Sequence, residues 1–317
     1  MKNYIRASII LIIIVYFSAL VSILVTRNSY NTKDIEISDD VKTIININKF
    51  GEQLKKVSLN APNKEVKAAI NNNYKSFVSP ELIDLWIQEP QSAPGRLTSN
   101  SWPERIKITN IEEVGGVYNI FGDIIFATSD KPKADTKSFN LLINKEDKKI
   151  KAFNDRKVNL NELGLSIFYS DLFTQQDSLS GKRIDFWSEF SGVGGKLYKV
   201  FYLPETYFEG TNFSEAYITI ASSSEEAALV NCTQGDQVMV NGYEFAKNTR
   251  EEGAAGNFYR VNSYKKEING SCMAIESVTH TTNIYNYPED KLEEVNLKTI
   301  DYLLDSIIRS VNFELVS

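Results

Sequence analysis

The sequence predicts an α+β fold: an apolar N-terminal transmembrane helix followed by two exported α+β domains, each an antiparallel sheet packed on helices. Three observations lead there. Residues 7–25 form an almost unbroken apolar run. Between about residues 41 and 89 apolar residues recur every three or four positions, the period of a helix. From about residue 105 the period is two, punctuated by Gly, Asn and Asp. Helices in one block and strands in the next favour α+β over an alternating α/β order.

The apolar run comes first in the chain. At ~1.5 Å per residue it spans roughly 28 Å, close to the ~30 Å hydrocarbon core of a bilayer. Thirteen of its residues are Ile, Leu, Val or Phe. Each favours insertion by ~0.3–0.6 kcal/mol, for a drive of roughly 4–8 kcal/mol. Lys2 and Arg6 precede it, and no acid occurs before Asp34. That asymmetry predicts residues 1–6 as a cytoplasmic tail, residues 7–25 as a single-pass anchor in the cell membrane and the bulk of the chain as extracytoplasmic. A cleaved signal peptide is the rival reading. It wants a shorter run, of ~7–15 residues, and a small-x-small site just after it. The stretch after Leu24, VTRNSYN, offers no such site, and no cysteine lies near for lipidation. Residues 26–40 are polar, without periodicity, and read as a stalk.

The exported part is long enough for two domains of ordinary size. Hydrophobic residues make up 42% and charged residues 24% of the chain, a globular balance. Lys2 and Arg6 are the only charges in the first 26 residues, so without them the net charge of −6 becomes −8. An acidic ectodomain without a Lys/Arg cluster argues against nucleic acid as a partner. Abundant Ile, Asn and Lys point to an AT-rich, bacterial genome. In a eukaryotic host, Asn212, Asn231 and Asn269 would head glycosylation sequons. The two cysteines, Cys232 and Cys272, predict one structural disulfide in an oxidising compartment. With a single histidine, His280, they do not make a zinc site, and neither a metal nor a cofactor is expected.

The first exported domain, residues 41–158, opens with a helix whose stripe is Ile44, Ile45, Ile47, Phe50, Leu54 and Val57. A second helix is expected over 64–77, with Val66, Ala69, Ile70, Tyr74 and Phe77 inward. Ser79-Pro80-Glu81 starts a third, with Ser as N-cap and Pro at the first position. It ends before Pro90. Residues 91–104 read as a loop, and strands follow at 105–111, 117–127, 138–144 and 149–153. In element order, residues 50–153 resemble the cone-shaped, cystatin-like fold of the nuclear transport factor two superfamily. That resemblance implies a concave sheet face used as a pocket, sometimes for catalysis and often only for contact. Arg96, Trp102 and Arg105 cluster around the loop. They read either as a plug with paired arginines at the cone's open end, or as a binding edge for a peptide or glycan.

The second domain, residues 159–317, starts with a helical or linker turn at 159–173. Strands are expected at 182–189, 196–202, 216–221, 244–248, 258–266 and 271–280. Asn269-Gly270 marks a type I′ hairpin. Residues 297–309 form a closing helix with Ile300, Leu303, Leu304, Ile307 and Ile308 inward, and Val311-Asn312-Phe313 is a short extended tail. This order, over about 165–317, resembles the PsbP-like group of extracytoplasmic domains and similar lipoprotein domains, which implies an assembly, binding or accessory role. The loops at 205–215, with Tyr207 and Asn212, and at 249–257 carry acids and amides; they read first as ordinary surface loops and otherwise as the place for a site, though their spacing does not match an EF-hand calcium loop.

Catalytic patterns are incomplete. SGVGGK at 191–196 lacks the first glycine and the closing Ser/Thr of a phosphate loop. Ser263-Tyr264-Lys265-Lys266 fits S-x-x-K but sits on an expected strand without its companion motifs. His280 lacks a nucleophile elbow. The sequence therefore predicts no catalytic residue, and a membrane-anchored protein with a binding or envelope-accessory role whose partner is an envelope protein, peptide or glycan. The alternatives are an extracytoplasmic hydrolase or glycan-modifying enzyme with a carboxylate site, and a ligand sensor needing a membrane partner.

Overall fold

A computed structural model of the chain describes residues 39–128, 135–177, 195–288 and 291–313. The anchor expected at 7–25 and the strand expected at 182–189 lie outside the described residues. Among the described residues no helix is long and apolar enough to cross a membrane. The observed architecture is α+β, dominated by antiparallel sheet.

Three helices open the described chain: α1 (Asp39–Leu54), α2 (Asn63–Tyr74) and α3 (Pro80–Gln88). Ser79 caps α3 as expected, its Oγ accepting from the Leu82 amide at 3.4 Å. They pack on one face of a four-stranded sheet of β1 (Ser101–Val114), β2 (Val117–Thr128), β3 (Asp135–Asn144) and β4 (Ile150–Asn154), in the order β1-β2-β3-β4. Aromatic rings fill that interface. Phe50 meets Phe153 and Tyr74 edge-on, Tyr74 meets Trp86, and Phe139 stacks on Phe153 at 5.4 Å. Gly51 lets the first helix approach β1, since a Cβ there would stand 2.9 Å from the Ile106 side chain. The space between these helices and the sheet is therefore apolar and filled. β1 begins at Ser101, so Trp102, Pro103 and Glu104 belong to a strand and not to the expected loop. A bulge between Pro103 and Arg105 accommodates the proline, which has no amide to donate.

Residues 159–173 are not a linker turn. They carry most of a hairpin, β5 (Arg156–Leu160) and β6 (Leu165–Tyr169), turned by Asn161–Leu163 with Gly164 left-handed at φ 62°. A seven-stranded sheet follows, built from β7 (Thr174–Gln176), β8 (Lys196–Leu203), β9 (Phe213–Ser223), β10 (Asp236–Val240), β11 (Tyr243–Ala254), β12 (Asn257–Ile268) and β13 (Ser271–Thr282). Its order is β10-β11-β12-β13-β9-β8-β7. The Asn269-Gly270 turn is where the sequence puts it, with both residues at positive φ. Strand β10 has no counterpart in the sequence reading, and β11 is longer than expected. A short helix α4 (Glu226–Asn231) is tied to the start of β13 by the Cys232–Cys272 disulfide, as expected.

Helix α5 (Leu297–Arg309) has the predicted bounds and face, but a different place. It packs against β3, β4, β6, β9 and β13, so it lies between the two larger sheets. One cluster of buried side chains accordingly runs from Ile47 to Val311. Where α5 ends, its carbonyls need donors. Asn119 donates to the Arg309 oxygen at 3.0 Å, and just beyond the helix Asn241 donates to the Val311 oxygen at 2.7 Å. Behind Asn119 stands a buried ladder. Asn140 donates to Asn119 at 2.7 Å, and Asn154 donates to Asn140 at 3.3 Å. The tail pairs as β14 (Asn312–Phe313) with β6.

Candidate functional site

Strand β11 runs past its edge partner β10, and there the end of the β11–β12 hairpin, paired with the end of β13, builds a pocket against the start of α5. Alternation sets its walls. Glu251 stands opposite Arg260 and Gly253 opposite Phe258 across the β11–β12 pair. On the next strand Thr279 faces Arg260 and Thr281 faces Phe258. These residues, with Glu252, Tyr259 and Leu297 from the first turn of α5, line an open cleft of about 310 Å³. The Phe258 ring lies close over Gly253, where a Cβ would stand 3.3 Å from it. The ring crosses the bare backbone and remains 48% exposed, and Leu297 remains 37% exposed. The next turn displays Tyr285 at 90% exposure, and its Asn283 amide donates to the Gly256 oxygen at the hairpin tip. Phe258 and Leu297 thus leave apolar surface open at the cleft, as ligand sites do.

The polar groups of the pocket are unequal. The Arg260 guanidinium is bound to Asp301 of α5. Burial raises the Asp301 carboxyl above the usual carboxylate range, and the Arg260 charge only partly offsets it. Glu252 has Arg250 at 3.5 Å. Glu251 makes no ion pair with any described residue. Thr279 and Thr281 add hydroxyls to the floor.

A second, more polar cleft of about 580 Å³ follows the exposed face of α5. It passes Lys298, Asp301, Tyr302, Asp305 and Arg309 and faces the Gly115-Gly116 turn and Lys145. Its charges are largely engaged with one another: Arg309 with Asp305, Lys145 with Glu113, and Asp301 with Arg260. Asn144 donates to the Tyr302 hydroxyl at 2.8 Å. Asp301 thus stands between this cleft and the pocket.

The structure does not gather the residues singled out in the sequence. Arg96 is half-buried, and its backbone bridges Val57 and Leu59. Half-buried Trp102 sits opposite Ala127 on β1, and exposed Arg105 sits opposite Ile125. Neither arginine forms an ion pair with a described residue, in contrast to the paired arginines of the plug reading. Tyr207 packs half-buried in the turn Glu205–Phe208, and its phenol is pushed up by burial and then by the charges of Glu89 and Asp171. Asn212 is buried, and both polar ends of its side chain are used. Its Nδ2 donates to the Thr282 oxygen at 2.8 Å, and its Oδ1 accepts from the Val295 amide at 2.9 Å. It fastens β9 to β13 and to the approach of α5, which makes it a poor sequon or ligand contact. None of these five residues lines either cleft just described.

His280 lies on the opposite face of the large sheet from Thr279 and Thr281. Its ring stacks on Tyr259 at 4.1 Å, its Nε2 is 2.9 Å from Asn257 Oδ1, and its Nδ1 is 3.7 Å from Glu215. Ser263 and Lys266 are three apart on a strand, so they fall on opposite faces and the S-x-x-K spacing brings nothing together. Among the described residues no three His, Cys, Asp or Glu side chains are grouped to hold a metal ion.

Glu251, Glu252 and Gly253 lie in the segment 249–257 that the sequence marked as a place for a site, although it is mostly strand and not loop, whereas Phe258, Arg260, Thr279, Thr281 and Leu297 were not singled out. The only signals were the alternation of Phe258 with Arg260 and of Thr279 with Thr281, which acquire meaning once the register is known.

No family model and no curated protein matches the chain. A solved structure from Bacteroides thetaiotaomicron is similar over 48% of this chain and 46% of its own, at 10% identity and a TM-score of 0.28. The chain thus spans about half the length of that neighbour, and so low a score carries no argument about fold. The likenesses to the cone-shaped and PsbP-like folds rest on element order alone.

Proposed function

We propose that the chain is a membrane-anchored, extracytoplasmic binding protein whose ligand enters the pocket between the β11–β12 hairpin and the start of α5. The observation that carries this reading is the pocket. An open cleft of about 310 Å³ is lined by apolar Phe258 and Leu297 together with carboxylates and threonine hydroxyls. Ligand sites typically combine an apolar wall with a few polar groups that orient the guest. The reading of the apolar run at 7–25 as an anchor supports the location, and so does the Cys232–Cys272 disulfide, which suits an oxidising compartment.

Two measurements test it. Protease added outside spheroplasts should digest the protein, and complete protection beside digested surface controls would sink the location. For the pocket, the full-length protein is screened by thermal shift against small metabolites, glycan fragments and short peptides. Hits are expected with the natural protein and not with Thr281→Trp, whose indole fills the floor. Hits equally strong in Thr281→Trp would place the ligand elsewhere.

A further inference from the structure

We infer that the ligand carries an ammonium group next to an apolar or aromatic body, a deepening that rests on the pocket being the binding site. The charges around the pocket decide its sign. Arg260 would be the natural partner of Glu251, directly opposite it across the strand pair, but its guanidinium is committed to Asp301. Arg250 stands beside Glu252. Among the carboxylates of the pocket wall, Glu251 is the one that makes no ion pair with any described residue. A carboxylate or phosphate ligand would have to approach Glu251 and compete with Asp301 for Arg260. Both steps oppose binding.

The aromatic wall points the same way. The Phe258 ring is held across Gly253 and left half-exposed at the mouth. A cation over such a face is attracted by the ring quadrupole, and a neighbouring carboxylate adds to the attraction. A neutral, hydroxyl-rich ligand would satisfy Thr279 and Thr281 but leave Glu251 without a counter-charge. An ammonium with an apolar body uses the whole lining: the carboxylate for its charge, Phe258 for its face and Leu297 for its tail. A free small amine and a lysine side chain of a peptide share this chemistry.

The test is calorimetric titration of the full-length protein in detergent with four probes. They are phenethylammonium, its neutral counterpart 2-phenylethanol, the anion 3-phenylpropionate, and an end-blocked Phe-Lys dipeptide. At least one of the two ammonium probes should bind about tenfold more tightly than the alcohol, with the anion weakest. Whichever of the two binds better identifies a free or a peptide-borne amine. Glu251→Gln should bring the ammonium probes down to the level of the alcohol measured with the same variant. Equal binding of ammonium and alcohol, or a preference that survives Glu251→Gln, overturns the ammonium assignment while the pocket reading stands. If no probe binds, the ammonium assignment falls, and the thermal-shift screen with Thr281→Trp then decides the pocket reading separately.

Discussion

The four-stranded sheet and the far end of the β11–β12 hairpin are built from the same antiparallel ladder but meet opposite surroundings. Phe139 to Ile143 of β3 are buried without interruption, because helices cover one face and α5 the other. From Asn248 to Ala254 every residue of β11 is exposed. A strand covered on both faces must settle every polar group internally, which is why Asn119, Asn140 and Asn154 join into a ladder that ends on the last carbonyl of a helix. A strand that outruns its cover has no such duty and can hold groups such as Glu251, which makes no ion pair with any described residue. Covered sheet holds this fold together, and overhanging sheet supplies its candidate binding surface.

The largest expected effect tests whether the large sheet needs a covalent aid on its outer side. There α4 contributes little beyond Ala228 and Cys232 to a small buried cluster. The disulfide closes a separation of 40 residues, for which chain-entropy reasoning gives about 4 kcal/mol. The double variant Cys232→Ser, Cys272→Ser should lower urea stability by that order. A loss below about 1 kcal/mol would mean that packing alone holds α4.

The contrast sharpens with one polar residue from each region. Asn140→Ala leaves the Asn119 oxygen without its donor and the Asn154 amide without its acceptor, both buried, and should cost about 3 kcal/mol. Thr249→Ala removes a hydrogen bond to Asn262 on the exposed hairpin and should cost no more than about 0.5 kcal/mol. Matching losses in chemical denaturation would erase the distinction between covered and overhanging sheet.

The same contrast explains what could be read in advance. Helix α5 was legible to the residue, because its stripe is regular and Asn296 caps it. The β12–β13 hairpin was legible because Asn-Gly suits a type I′ turn. The β11–β12 hairpin was not: Ala255 occupies the left-handed position at φ 49°, a place seldom given to alanine, so nothing in TREEGAAGN narrowed the loop to a two-residue turn at Ala255-Gly256. The β5–β6 hairpin hid for a similar reason, its helical turn at Asn161–Leu163 resembling a linker. The placement of α5 between two sheets was beyond reach, since its apolar stripe says how much is buried and not by what. The candidate site shared that fate. Phe258, Arg260, Thr279 and Thr281 become neighbours through register, and Leu297 and Asp301 join them through packing.

The smallest effect concerns the link between pocket and core, the Arg260–Asp301 pair. Burial raises the Asp301 carboxyl in the folded protein. Between its ordinary value and that raised value the native state holds a proton that the unfolded chain has released. Stability contributed by Asp301 therefore rises as pH falls through that window and levels off near the ordinary value, about pH 4. This is the reverse of a carboxylate depressed by a salt bridge, so it separates burial from pairing as the dominant influence. Urea midpoints taken between about pH 7 and about pH 4 should show this component in the natural protein and lose it in Asp301→Asn. If Asp301→Asn instead removes a decline toward acid, pairing with Arg260 outweighs burial, and the pocket wall is fixed by the ion pair and not by the packing of α5.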